Sequence, residues 1–350
     1  MAKRTSKPNA SLSPKQASFP TVGQNVSLAS DCVTDRYGFL IDLAKKVEED
    51  NYIRRHPEMP AMQSMWAREL ERWGSVSHQR KKKLCREGIP QSMRRIVWPV
   101  LLDGGDRQGF SRDYYQTLKL RLPSNPELFA VIERDLGRTF PTHRWFVKKD
   151  GVGQSKLRGI LRAYANVDPE IGYVQGMAFL ASTLLLYIED EENTFWAFFS
   201  LMRHPKYSMS AMFSVGFPAL YMRFYQLSKL MQKKCKSSFR LIEKFHVTPE
   251  VYATQWFLTL FSYQLDFGLL SRIWDMFLCE GWKIIYRVAI ALFLLHKKTL
   301  CQAKDECELL LALRRMHEVK DTDLILRRAL HVKFKTVELV RWEAKYWACR

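Results

Sequence analysis

Residues 272–295 decide the fold. They read Arg272-Ile273-Trp274-Asp275-Met276-Phe277-Leu278-Cys279-Glu280-Gly281, then Trp282-Lys283-Ile284-Ile285-Tyr286-Arg287, then Val288-Ala289-Ile290-Ala291-Leu292-Phe293-Leu294-Leu295. Ile273, Trp274, Phe277 and Leu278 fall on one face of a 3.6-residue helix. Gly281 stands where a C-terminal cap is needed. Val288 to Leu295 is apolar on every side, so its helix belongs at the centre of the molecule. The same texture extends in both directions. Phe195, Phe198, Phe199 and Met202 repeat the stripe behind Asp190, Glu191 and Glu192, acids that suit a helix N-terminus. Asp168-Pro169-Glu170 has the order of an N-cap, a first-turn proline and an acid. The apolar run Met177 to Ile188 stops at Glu189, too short to span a bilayer, and is expected to be a buried helix. Alternating strand patterns with hairpin turns are scarce. The chain is expected to be all-α.

Three regions follow from composition. Residues 1–30 hold no Asp or Glu and are rich in Ser, Lys and Pro, which predicts a disordered basic tail. Pro8, Pro14 and Pro20 argue against an amphipathic transit helix there, and no apolar stretch marks a secretion signal. Residues 31–80 are a helical lead-in, with Asp35-Arg36-Tyr37-Gly38-Phe39 and with Trp66, Leu70 and Trp73 spaced along one helix face. From 81 to 345 the texture is that of one uniform domain.

Lys and Arg number 55 against 36 Asp and Glu, a net charge of +19. That balance suits an acidic partner: nucleic acid, an anionic membrane face, or an acidic protein or nucleotide complex. Lys81, Lys82 and Lys83 form the densest basic run. The seven cysteines are odd in number and contain no CxxC pair, which argues against a disulfide framework or a zinc module and favours a reducing cytosol. Cys301 and Cys307, with acids between them, read as ordinary helical cysteines rather than a metal pair.

Enzymatic signatures are missing: the sequence holds no GxxxxGK[ST], HExxH or GxSxG. Gly151-Val152-Gly153 lacks the third glycine of a dinucleotide site and reads as a turn. Nor does a helix-turn-helix, zinc-finger or RNA-recognition signature accompany the positive charge, so no nucleic-acid partner is expected. Two segments remain. In Ile132-Glu133-Arg134-Asp135-Leu136-Gly137-Arg138-Thr139-Phe140-Pro141, Asp135 and Arg138 share a helix face, so the carboxylate can brace the guanidinium. Pro141 disfavours helix at Phe140, which puts Arg138 near a helix end, able to fork across a phosphate. In Gly172-Tyr173-Val174-Gln175-Gly176-Met177, glycines bracket a glutamine that could orient a water. Read alone, each is better described as structural: a surface arginine in a local ion pair, and a glycine-softened helix start with a satisfied glutamine.

Together and in this order, the two segments resemble the dual-finger signature of the TBC family of Rab GTPase-activating proteins, Ile-x-x-Asp-x-x-Arg followed by Tyr-x-Gln. The flanks are similar as well. They include Gly88-Ile89-Pro90 with Arg94 and Trp98-Pro99, Arg138-Thr139-Phe140-Pro141 with His143, and Ala163-Tyr164 with Pro169, Gly172-Tyr173, Gln175 and Gly176-Met177. Later come Trp256 to Phe261, Arg272 to Gly281 and Tyr286 to Leu292. The resemblance is strongest over 84–295. Asp168 stands where the family often has Asn before Pro.

The resemblance implies an all-α fold of two packed helical subdomains and GTPase activation in trans, with no enzymatic turnover of the protein's own. Arg138 would be the arginine finger and Gln175 the glutamine finger, with Asp135 and Tyr173 in support. Trp98, Trp256 and Trp274 would be core residues. Arg94 is a candidate for an internal ion pair whose partner the sequence does not name. The implied partner is a Rab-family GTPase in its GTP state, with GTP and Mg²⁺ belonging to that partner and no cofactor or metal of the activator's own. Work near anionic endomembranes from the cytoplasm would suit the charge. The alternative is a non-catalytic GTPase-binding or scaffold protein of the same fold in membrane traffic.

Overall fold

In the computed structural model the described residues are 33–102, 110–122, 126–319 and 321–349; the sequence reading of residues 1–30 lies outside them. A two-residue hairpin, β1 (Val33–Thr34) with β2 (Leu40–Ile41), precedes α1 (Leu43–Arg55), α2 (Pro60–Glu71), α3 (His78–Glu87) and α4 (Arg94–Leu101). Next come α5 (Tyr114–Leu120), α6 (Pro126–Leu136), α7 (Val152–Val167), α8 (Met177–Ile188), α9 (Glu191–Arg203) and α10 (Met209–Phe213). The remainder is α11 (Pro218–Lys234), α12 (Lys236–Lys244), α13 (Pro249–Leu258), α14 (Phe267–Glu280), α15 (Trp282–Leu295), α16 (Lys297–Cys301), α17 (Glu306–Arg314), α18 (Thr322–His331) and α19 (Thr336–Ala348). Among the described residues the protein is all-α apart from that hairpin, which forms because Asp35 accepts from the Tyr37 and Phe39 amides at 2.9 and 2.8 Å and closes a turn.

The helices pack in two groups. One gathers α5, α6, α8 and α9 around α7, and the other gathers α13, α14, α18 and α19 around α11 and α15. The decisive stretch behaves as its sequence predicts. Ile273, Trp274, Phe277 and Leu278 are all buried, and α15 is buried from Ile284 to Phe293. Gly281 ends α14 and opens α15 at φ +73°, a value L side chains rarely adopt, and its amide donates to Phe277 O at 2.7 Å. Asp190 caps α9 by accepting from the Asn193 amide at 2.8 Å. α8 is buried as expected, and no described helix is long and apolar enough to cross a membrane.

Some local readings are corrected. Asp168-Pro169-Glu170 starts no helix: Asp168 ends α7, the next residues form a turn, and α8 waits until Met177. Gly172 accounts for the delay, since its amide returns to Asp168 O at 2.7 Å and closes the chain on itself. Gly151-Val152-Gly153 is a helix start, with Gly151 as the N-cap of α7. A Cβ at Gly153 would lie 2.5 Å from Trp145 O, so close backbone packing explains that glycine. Trp73 lies beyond the end of α2 in a 3-10 turn, yet its ring still stacks on Trp66 at 6.0 Å.

The two groups meet at a buried carboxylate. Asp275 of α14 is fully buried and takes the Arg94 guanidinium as a fork, Nε to Oδ1 and Nη2 to Oδ2, both at 2.9 Å. Trp98 Nε1 donates to Oδ1 at 2.9 Å and the Ile89 amide to Oδ2 at 3.4 Å. Arg94 therefore has its partner, 181 residues away. Trp98 stacks on Trp274 at 5.6 Å, and Trp256 is buried too. Asp275→Ala would leave Arg94 buried without its counter-charge and is expected to cost about 3–5 kcal/mol. Trp274→Ala is expected to cost a similar ~3–5 kcal/mol through its cavity. Equilibrium unfolding in urea measures both; a loss under about 1 kcal/mol for Asp275→Ala would show the charge cluster to be dispensable.

Candidate functional site

α6 buries Ile132, Asp135 and Leu136 in its last turns and ends there. Arg138 follows two residues later with its side chain partly exposed and in an ion pair with Asp135. Thr139, fully buried, donates its hydroxyl to Asp135 O at 2.7 Å, fastening the chain to the helix end. The turn then passes through Phe140 at φ +46°, a left-handed conformation rarely adopted by a bulky residue. Pro141 excludes the right-handed helix before it, and edge-on contacts hold the ring: Phe39 at 5.6 Å, Phe179 at 5.6 Å and Phe267 at 5.8 Å.

His143 ties this loop to the hairpin. Its Nδ1 accepts from the Trp145 amide at 3.1 Å, which puts the ring proton on Nε2, facing Tyr37 O at 2.9 Å. Burial pushes the imidazole pKa down to about 4. The sequence flagged His143 only as part of a motif, and nothing in it pointed to Tyr37 O.

The second segment lies on the loop between α7 and α8. Gly172, at φ +62°, lets it close against α6: a Cβ there would sit 2.8 Å from Leu128 Cδ1. Tyr173 is buried and donates its hydroxyl to Asp135 Oδ2 at 2.5 Å. One carboxylate thus holds both Arg138 and Tyr173. Burial raises the Asp135 pKa, opposed by the Tyr173 hydrogen bond and the Arg138 charge. Burial, followed by the Asp135 charge, keeps Tyr173 protonated far past neutrality. Gln175 stands two residues on, in the turn before α8, and its buried Nε2 has no hydrogen-bond partner. The satisfied-glutamine reading is therefore wrong for that amide. Tyr263, which the sequence reading did not single out, packs edge-on to Phe179 at 5.2 Å, and its raised pKa reflects burial countered by the Arg138 charge.

Arg138, Asp135 and Tyr173 are thus connected in one chain of bonds, and Gln175 extends from the same loop. Cys301 and Cys307 are exposed, free and on separate helices. Among the described residues no group of three or more His, Cys, Asp or Glu could hold a metal ion.

A helical domain with a carboxylate-braced arginine past a helix end, and a glutamine on the loop that the same carboxylate holds through Tyr173, was compared with known proteins. The model of the Rab-GTPase-TBC domain matches residues 91–301, and the chain belongs to that family. It is 33% identical over 265 residues to human TBC1 domain family member 10B, covering 74% of this chain and 32% of that protein. It is 33% identical over 234 residues to the Caenorhabditis elegans Rab GTPase-activating protein tbc-11, covering 65% of this chain and 24% of that one. The chain spans a third or less of the length of these curated relatives. The crystal structure of the Chlamydomonas flagellar RabGAP TBC domain superposes with a TM-score of 0.69 at 26% identity, covering 85% of this chain and 99% of that one.

His143 yields a pH prediction. Its folded pKa of about 4 lies below the ordinary 6.5. The unfolded chain therefore binds the proton first as pH falls. Stability is unaffected above the unfolded value, declines between about 6.5 and 4, and then levels off. Wild type is expected to lose about 3 kcal/mol more than His143→Gln over that window. Chemical denaturation at stepped pH tests it, and parallel curves for the two proteins would refute it.

Proposed function

We propose that this protein is a GTPase-activating protein for a Rab-type small GTPase, supplying Arg138 as an arginine finger and Gln175 as a glutamine finger in trans. The observation that carries this reading is the shared carboxylate. Asp135 holds Arg138 and Tyr173 at once, so the two loops are set as one unit, and the Gln175 amide nearby is unspent. The family and the name of the worm relative support the same assignment.

Phosphoryl transfer needs little covalent help and much electrostatic help. A guanidinium inserted beside the transferring phosphate stabilises charge spreading over its oxygens where water is excluded. The Gln175 amide has both a donor and an acceptor with which to orient the attacking water. GTP and Mg²⁺ come with the partner in its GTP state, and the activator contributes no cofactor. The protein is then an activator acting from the cytoplasm in vesicle traffic, where its net charge of +19 favours peripheral contact with the anionic membranes that anchor Rabs.

An arginine finger contributes about 10³–10⁵ in rate. Arg138→Ala would also strip the buried Asp135 of its cation, so Arg138→Lys is the cleaner variant. It is expected to stay folded and lose at least about a hundredfold of the stimulation, since an ammonium cannot fork across two oxygens. Gln175→Ala is expected to abolish stimulation. A Rab whose own catalytic glutamine is changed to alanine is expected to be stimulated by wild type to within about a decade of the normal Rab. Because the fingers serve one transition state, the Arg138→Lys/Gln175→Ala double variant is expected to be scarcely worse than either single one. Single-turnover GTP hydrolysis over a panel of purified Rabs measures all of this. Full activity on the normal Rab with none on its glutamine-less form would leave Gln175 as a structural residue.

A further inference from the structure

The turn between α13 and α14 is strained. Leu260 and Phe261 stand in succession at φ +49° and +67°, left-handed values that are unfavourable for residues with a Cβ. Both are buried, and their surroundings enforce the conformation. Trp274 Nε1 donates to Leu260 O at 3.2 Å, the Phe261 amide donates to Trp256 O at 3.0 Å, and the Phe261 ring stacks on Trp256 at 5.6 Å. Ser262, next in the chain, is buried and accepts from Thr183 Oγ1 of α8 at 3.0 Å. Strain held by this many contacts points to a side chain that the turn must deliver to a fixed place.

That side chain is Tyr263. Its amide donates to Thr259 Oγ1 at 3.3 Å, while the Thr259 hydroxyl donates to Gln255 O at 2.7 Å. The half-buried Tyr263 ring meets Phe179 edge-on at 5.2 Å, and Phe179 meets Phe140 at 5.6 Å. Phe140 is two residues past Arg138, so a run of three rings joins Tyr263 to the turn that carries the arginine. The strained turn reaches the glutamine loop as well. A Cβ on Gly176, which follows Gln175, would lie 3.7 Å from Thr259 Cγ2. Both candidate finger loops therefore adjoin the α13–α14 turn. The Arg138 charge lowers the Tyr263 pKa against the burial that raises it, so the phenol lies within the field of the guanidinium.

A carboxylate holds a guanidinium by its edge, through N–H groups, and leaves its two planar faces unconstrained. Asp135 supplies that edge contact. An aromatic ring supplies what is missing: it attracts a cation through its quadrupole and shields it from water.

We infer that Tyr263 is a positioning residue for Arg138, its ring bearing on the guanidinium that Asp135 holds and keeping that side chain aimed at the phosphate. The inference rests on the GTPase-activating reading. Tyr263 itself acts through Arg138 and not on the reacting atoms.

Two measurements on the full chain test it. The first needs no GTPase. The Arg138 Nε–H resonance, identified by its loss in Arg138→Lys, reports how firmly the guanidinium is held. Exchange of that proton with water is expected to be at least about fivefold faster in Tyr263→Leu, and within about twofold of wild type in Tyr263→Phe, which keeps the ring. Tyr263→Met is a second non-aromatic variant should leucine fail to fold.

The second is single-turnover GTP hydrolysis on a stimulated Rab, at activator concentrations that separate the plateau rate from half-saturation. Tyr263→Leu is expected to lower the plateau about tenfold and to leave half-saturation within about threefold, while Tyr263→Phe keeps both within about twofold. In an Arg138→Lys background the leucine change is expected to lower the plateau less than about twofold, because the group it positions is gone. Unchanged proton exchange in the non-aromatic variants would overturn the inference. So would a rise in half-saturation with the plateau intact, which would make Tyr263 a contact for the partner, or an undiminished tenfold loss in the Arg138→Lys background. A wild-type protein that stimulates no Rab, with Arg138 exchange still answering to Tyr263, would sink the activating reading and leave Tyr263 as the residue that holds Arg138.

Discussion

The structure depends on one buried ion pair, Arg94 with Asp275. A carboxylate with no solvent exposure needs its charge matched and its lone pairs filled, and here Arg94, Trp98 and Ile89 do both. Those donors all come from the short segment between Ile89 and Trp98, and the acceptor comes from α14. The pair therefore fixes α4 against α14, and with them the seam between the two helix groups. Trp98 stacked on Trp274 makes that seam apolar around the charge, which lowers the local dielectric and raises the cost of any misalignment.

A second buried carboxylate repeats the device at the site. Asp135 lies at the end of α6, where the helix has no further backbone donors to offer, so its partners come from elsewhere: Arg138 from the following turn and Tyr173 from the loop before α8. Burial alone would favour the neutral acid, and the two donors oppose it. The same bonds that oppose protonation of Asp135 hold the arginine in place before any partner arrives. Preorganisation of this sort suits a residue whose work is electrostatic, because little reorganisation is left for the moment of reaction. The strained Phe140 turn and the neutral His143 extend the support to the hairpin, so the lead-in is packed into the site's foundations rather than appended to the domain.

The charge distribution has two separate characters. At Arg138 the cation is matched by an acid and set by geometry. Along α3 and α15 the cations outnumber the acids and crowd together. Local balance at one place and local excess at another are different physical situations, and the bare total of +19 distinguishes neither.

The sequence by itself determined the helices whose apolar faces repeat with period 3.6, from the Phe195 stripe to the apolar run from Val288 that ends α15, because burial follows periodicity within a single element. It also determined that Arg138 would stand past a helix end braced by Asp135, since that pair is local. Elsewhere local signals were outweighed. Asp168-Pro169-Glu170 has the chemistry of a helix start, but the chain there must turn back at Gly172 so that Tyr173 can reach Asp135. Trp73 has helical spacing from Trp66 but meets it from beyond the helix end. Gly151-Val152-Gly153 looks like a turn and is a helix start, because Gly153 packs on the Trp145 backbone. Only the tertiary structure could decide that Asp275 is the partner of Arg94 and that Asp135 serves both loops. Each of these depends on groups far apart in the chain. The energy of a buried charge is set by whatever the fold brings to within a few ångströms of it, and no spacing along the sequence records that distance.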